Sequence, residues 1–281
     1  MNLIDRVGKE KLIELLSTMP IREISREFGY SRNALRCARI SLGIDAHDEF
    51  AEYRALKWEE IVSPIKVPDS YDEFKTVNDE WSAYWLGFIF ADGCVYECKR
   101  KGSSKPYRGL RIGLSAKDRC HLEMFSKYSG MKLKDLNVHN KKTGKDHASV
   151  YIRRQSPDIA DNLICFGVIP RKTYIDHYMP DLPEHLRPHF IRGYFDGDGC
   201  ILLNNDRPKV ISILGRKTFL DGICKFLLSH DIKCTFVDRI TYYDMRIPSI
   251  LDVNKFYNLI YKDATIYLDR KYKKFNKNNG L

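Results

Sequence analysis

Apolar residues recur at helical spacing over Lys9 to Ser17, Ile21 to Phe28 and Arg32 to Ile40. Gly29-Tyr30-Ser31 separates the last two, so the pattern predicts a helix-turn-helix with Ser31 as N-cap of the third helix and Gly43 as its stop. Arg32, Asn33, Arg36 and Arg39 would then line that helix's outer surface, where they suit phosphates and base edges. A helical hairpin with solvated arginines is the plainer alternative. Ala46 to Asn78 reads as a linker with Pro64, Pro68 and a short helical stretch around Glu52 to Glu60.

Beyond residue 80 the pattern occurs twice. Trp81 to Asp92 and His189 to Asp198 are apolar segments of helical length, each followed by Gly-Cys and a β-branched residue, which signals a helix stop and then a strand. Aligned on Asp92 and Asp198, both copies carry Gly five residues earlier. Small residues four apart, Gly87 and Ala91, Gly193 and Gly197, leave each helix a flat face for close packing. Pairing along those faces would bring the two acids together at one end of the interface.

Strand-like stretches rich in basic and aromatic residues follow: Lys105 to Ile112 and Ala148 to Arg154, then Lys209 to Leu214 and Lys233 to Ile247. Their alternation describes sheets with one buried face and one face suited to DNA, and Arg108, Arg111, Arg153, Arg154, Lys209, Arg239 and Arg246 are the candidate DNA-binding residues. Helices are expected around His121 to Ser129, Asp158 to Phe166, Phe219 to Ser229 and Val253 to Tyr261. The order per copy is therefore helix, two strands, helix, two strands, helix. Each copy closes on Arg-Lys, in Ile169 to Tyr174 and Tyr267 to Tyr272, which makes Lys172 and Lys271 candidates to position water or stabilise charge on a phosphate.

A formal net charge of +10 and a pI near 9.1 favour an anionic partner, with nucleic acid foremost. Hydrophobic residues at 43% and charged residues at 30% describe a globular chain. No apolar run approaches the roughly 20 residues that span a bilayer, and Asp5, Arg6, Lys9 and Glu10 break up any leader, so placement in the cytoplasm or on the nucleoid is expected. The eight cysteines are scattered singly. Packed, reduced thiols are expected, with a zinc half-site at Cys94 and Cys98 as the weaker alternative. Two carboxylates meeting at helix C-termini repel each other and face negative dipole ends, so a divalent metal would compensate them and equip the site for phosphodiester hydrolysis. Taken singly, each motif is equally an Asp-Gly turn closing a core helix.

Trp85 to Gly93 and Ile191 to Gly199 resemble the motif of the LAGLIDADG homing endonucleases. The second copy, Gly-Tyr-Phe-Asp-Gly-Asp-Gly, is the closer match, and in the first Phe90 stands at the motif's first Asp. The resemblance implies an α+β fold: two pseudo-symmetric αββαββα LAGLIDADG repeats forming a DNA-binding saddle, preceded by a small all-α helix-turn-helix head. The expected divisions are 1–47 (head), 48–79 (linker), 80–178 and 179–281 (repeats). It further implies a monomeric, metal-dependent endonuclease that cuts double-stranded DNA at a long asymmetric site, leaving 3′ overhangs. Mg2+ would be held by Asp92, Asp198 and the carbonyls of Ala91 and Gly197, with Lys172 and Lys271 catalytic. A chain starting at Met1 and ending without His-Asn is expected to be free-standing. A catalytically silent DNA-binding regulator and an intron RNA maturase bound to structured RNA remain the alternatives.

Overall fold

The computed structural model describes residues 3–19, 21–44, 62, 64–98, 107–140, 145–172, 175–204 and 207–276. The expected helix at Glu52 to Glu60, Lys105, Pro106, Thr173 and Tyr174 lie outside the described residues. The chain forms two compact units, Met1–Lys66 and Val67–Leu281.

In the first unit, α1 (Leu3–Val7), α2 (Lys9–Thr18), α3 (Ile21–Phe28) and α4 (Arg32–Ser41) enclose Leu12, Leu16, Ile24 and Leu35. Gly29, at φ 71°, turns the chain between α3 and α4. Ser31 occupies the N-cap of α4 with extended backbone, but its side chain makes no cap hydrogen bond, contrary to expectation. Arg32, Asn33 and Arg36 are exposed and Arg39 is half-buried.

The second unit is built around two helices. Asp79 begins α5 (Glu80–Asp92): its carboxylate accepts the Ser82 N–H at 2.7 Å in a capping box. α5 is apolar on all sides and buried from Trp81 to Phe90, as a central helix must be. β1 (Gly93–Cys98), β2 (Tyr107–Ser115), α6 (Arg119–Ser129), β3 (Leu133–Asn140), β4 (Lys145–Gln155) and α7 (Pro157–Cys165) complete the first repeat. The second repeat runs through α8 (Arg187–Asp198), β5 (Gly199–Asn204), β6 (Arg207–Gly215), α9 (Lys217–Ser229), β7 (Thr235–Asp238), β8 (Tyr243–Ile247) and α10 (Ile250–Ile260), followed by α11 (Asp269–Asn276). The two antiparallel sheets have equivalent orders, β1-β2-β4-β3 and β5-β6-β8-β7.

Strand alternation assigns the faces. Val95, Leu110, Ile112, Val150 and Ile152 are buried on one side of the first sheet, and Ile201, Ile211, Ile213, Met245 and Ile247 on the same side of the second. α5 and α8 pack through their glycines. A Cβ on Gly87 would lie 2.0 Å from the Phe190 carbonyl oxygen, and one on Gly193 would lie 1.9 Å from that of Tyr84. Each glycine thus meets the carbonyl three residues before the partner's glycine, which is the signature of a local twofold.

Arg192, on α8, is 1% exposed. It donates to the carbonyls of Ile260 (2.6 Å) and Ile266 (2.8 Å) and to Glu80 (2.6 Å), tying the start of α5 to the segment after α10. A buried charge so fully paired is tolerated, whereas removing one partner of such a set costs about 3–5 kcal/mol.

Candidate active site and nucleic-acid interface

Asp92 and Asp198 are the last residues of α5 and α8, and the strands of both sheets begin at once behind them. Gly93 and Gly199 stop the helices without a left-handed turn, being extended at φ −86°. Room makes them glycines: a Cβ on Gly93 would lie 2.7 Å from the Ile89 carbonyl oxygen, and one on Gly199 would lie 2.0 Å from the Phe195 ring. At this end of the pair a Cβ on Gly197 would reach the Ala91 methyl at 2.3 Å and Asp92 Oδ2 at 3.2 Å. Such proximity brings the two helix ends, and with them the acids, to one place.

Both carboxyls open to solvent at one side but are otherwise ringed by protein. Burial and then the neighbouring Asp92 push Asp198 up to about 6. Burial also raises Asp92, against the opposing pull of Lys271 and Lys172.

The closing lysines cap these helices. Lys172 Nζ donates to the carbonyls of Ile89 and Ala91, both at 3.3 Å, and to that of Gly93. Lys271 Nζ donates to the carbonyls of Phe195 (2.5 Å) and Gly197 (3.2 Å). Each repeat's lysine therefore satisfies the orphan carbonyls of its own motif helix and meets the negative end of its dipole. Burial lowers both ammonium groups, Lys271 to about 8 despite the opposing field of Asp196. Cationic compensation of the helix ends, expected from metal alone, is thus supplied in part by lysine.

The donors suit a hard cation. Two carboxylates and two helix-end carbonyls, those of Ala91 and Gly197, offer only oxygen. Among the described residues no group of three or more His, Cys, Asp or Glu side chains adds to them. All eight cysteines are free thiols. Cys94 is exposed, contrary to the packed-thiol expectation, because on β1 it has the opposite parity to the buried Val95.

On the open face of the first sheet Arg111 pairs across strands with Arg153. Their guanidinium carbons sit 5.3 Å and 4.5 Å from the ring centres of Tyr151 and Tyr96. Arg108 and Arg154 fall on the helix-covered parity instead, with Leu110 and Ile152, and Arg108 forms an ion pair with Asp161 of α7. The structure therefore separates four arginines that sequence had grouped as one surface. Lys209 is exposed on β6, and Arg239 and Arg246 both engage Asp244.

Asp196 stands at the motif's first acidic position, for which the resemblance implies a mainly structural role. Fully buried, it accepts hydrogen bonds from Tyr84 Oη (2.8 Å), the Leu268 N–H (2.7 Å) and Tyr261 Oη. In the first repeat Phe90 takes that position and packs on Phe190 and Phe219, each with ring centres 5.3 Å away. The two motif acids of the second repeat thus divide the work, Asp196 binding core to helix while Asp198 faces solvent.

Duplicated αββαββα topology, glycine-faced central helices and one acid at each helix end define a chain with two equivalent repeats of one fold. No protein-family model matches it. The probable translation initiation factor IF-2 of Methanocaldococcus jannaschii is 24% identical over 207 residues, which are 69% of this chain and 16% of that protein. Solved structures similar in fold include the homing endonuclease I-DmoI in complex with DNA and Ca (17% identity; 70% of this chain and 97% of that chain; TM-score 0.47). A second is the homing endonuclease I-WcaI bound to its DNA recognition sequence (16%; 84% and 96%; 0.47). A third is full-length DUF199/WhiA from Thermatoga maritima (17%; 73% and 62%; 0.44). Among the described residues no helix is long and apolar enough to cross a membrane.

Proposed function

We propose that this protein is a site-specific endonuclease of double-stranded DNA that uses Asp92 and Asp198 to hold divalent metal, Mg2+ by preference, and leaves short 3′ overhangs. The observation carrying this reading is the paired acids at adjoining helix ends, with a lysine behind each donating to its helix-end carbonyls. Bound metal would supply charge for the attacking and leaving oxygens of the phosphodiester. Asp92 and Asp198 would hold it, with the Ala91 and Gly197 carbonyls as the further candidate donors. Lys172 and Lys271 fix those carbonyls and add positive potential where negative charge develops on the phosphate. Incubating the protein with a duplex library and Mg2+, beside an Asp198→Asn control, tests the reading. Cleavage by the wild type alone supports it; selective binding without cleavage by either would instead make the chain a DNA-binding regulator.

Arg111 and Arg153 stand on the open sheet face, held by tyrosine rings and ready for phosphates or base edges. Arg111→Ala and Arg153→Ala are each expected to weaken duplex binding and to reduce the slope of log affinity against log salt by about one where a phosphate contact is lost. Titrations at several salt concentrations measure this, and unchanged affinity in both variants would remove the sheet face from the interface.

The head contributes to the same reading through α4, whose Arg32, Asn33 and Arg36 are exposed. A chain with Arg32→Ala and Arg36→Ala together is expected to protect a shorter stretch of DNA from chemical cleavage. A footprint of unaltered length would assign those arginines to solvent.

A further inference from the structure

The two sheets hold their open-face arginines in different ways. Gly93 pairs with Ile112 and Gly199 with Ile213, so the next rows are equivalent: Arg111 opposite Arg153 in the first sheet, Ser212 opposite Arg246 in the second. Two residues before each β4 or β8 arginine, the first sheet has Tyr151 and the second has Asp244. In place of an aromatic platform the second sheet carries a carboxylate, on the face away from Met245 and Ile247.

That carboxylate is 4% exposed. Asp244 Oδ1 accepts from Ser212 Oγ at 2.6 Å, and Oδ2 accepts from Arg246 Nε at 2.9 Å and from Arg239 Nη2 at 3.2 Å. Arg246 Nη2 lies 2.8 Å from the same oxygen. Burial would raise the Asp244 carboxyl, yet Ser212 and the two guanidiniums hold it below the usual carboxylate range, so it stays ionised. The hairpin tip pins Arg239 in turn: its N–H donates to the Tyr242 carbonyl at 2.9 Å, and Asp238 accepts the Ile240 N–H at 2.7 Å. Ile240 is held at φ 71°, a costly conformation for a β-branched residue, and is 99% exposed.

A buried anion on a face meant for DNA reduces phosphate attraction, so its benefit lies elsewhere. By engaging the Nε/Nη2 edge of Arg246 it leaves the Nη1/Nη2 edge for a partner, in a fixed plane. A fork held in one plane is the donor pair that matches guanine O6 and N7. Resting on the DNA reading above, we infer that Asp244 is a positioning residue for sequence recognition, orienting Arg246 to read a guanine in the half-site under the second sheet.

The test is selection from a randomised duplex library by the full chain, with wild type, Asp244→Asn, Asp244→Ala and Arg246→Lys compared at one salt concentration. The wild type is expected to enrich a site with a guanine under the second sheet. Both Asp244 variants and Arg246→Lys should lose about tenfold of the preference at that position, while other positions keep theirs and affinity for non-specific duplex holds or rises in the Asp244 variants. Circular dichroism identifies any variant that fails to fold, and Asp244→Asn, nearly isosteric, carries the test if Asp244→Ala does. An unchanged preference in folded Asp244 variants, or a uniform loss at all positions, overturns the inference. A wild type that enriches no sequence overturns the DNA reading itself.

Discussion

Asp198→Asn is expected to lower cleavage on the order of a thousandfold, because it weakens the hold on the metal that would compensate transition-state charge, while making the metal-free protein more stable near neutral pH. The two effects share one cause. Asp198 has its carboxyl raised to about 6 by burial and by Asp92, above the 3.8 of an ordinary aspartate, so its ionisation opposes folding. The folded state holds its proton more tightly, and that advantage, complete at low pH, is lost as pH rises through about 6. With 1.36 kcal/mol per pKa unit the full shift would be worth somewhat under 3 kcal/mol, but this carboxyl reaches solvent, and screening reduces the figure to about 1 kcal/mol. In a domain of this size that is a rise in Tm of about 2–4 °C. Melts with chelator at pH 8 should show the gain, and melts near pH 4 should show the two proteins converging. Added Mg2+ should stabilise the wild type and leave the variant nearly unmoved. A variant less stable than wild type at pH 8 without metal would mean that the acids are not in electrostatic conflict.

The elements of this site were legible because they depend on local rules. Helix period, a glycine after the acid and the repeated order of helices and strands located Asp92 and Asp198 at equivalent helix ends, and the small residues at 87, 91, 193 and 197 indicated the packed face. Local rules alone did not mark Asp196 as a core residue, because it is the same residue type as Asp198 and lies only two positions away; the resemblance, which implies a mainly structural first acid in the motif, was the one pointer. About 200° of helical rotation separates them, and only the placement of Tyr84, Tyr261 and Leu268 shows which acid faces inward. Arg192 was hidden in the same way, since its partners come from Glu80 and the segment after α10. Arg108 and Arg154 were misplaced despite an available signal: they share parity with Leu110 and Ile152, which marks them as helix-side residues once the strands are in register. Lys172 and Lys271 were found by their repeated Arg-Lys, but their hydrogen bonds to the helix-end carbonyls follow from tertiary packing.

Gly193→Ala should disable the protein through its backbone, although alanine is the better helix former. Propensity alone favours the substitution by roughly 1 kcal/mol. Against it stands a Cβ 1.9 Å from the Tyr84 carbonyl oxygen and 2.8 Å from the Phe88 nitrogen. Both are main-chain atoms of a buried helix, so no flexible side chain can give way, and the helices must separate. Overpacking of ordinary cores costs about 1–3 kcal/mol, and a clash between two backbones belongs at or above the top of that range, so a net loss of about 3 kcal/mol is expected. Gly113→Ala is the control, because there the nearest atoms lie 3.8 Å away and stability should change little. Urea unfolding of the three proteins measures the difference. Cleavage by folded Gly193→Ala should fall further than its stability alone explains, since the contact that spaces the helices also spaces Asp92 from Asp198. Wild-type stability and cleavage in Gly193→Ala would show that the acids are held together by something other than these two glycine faces.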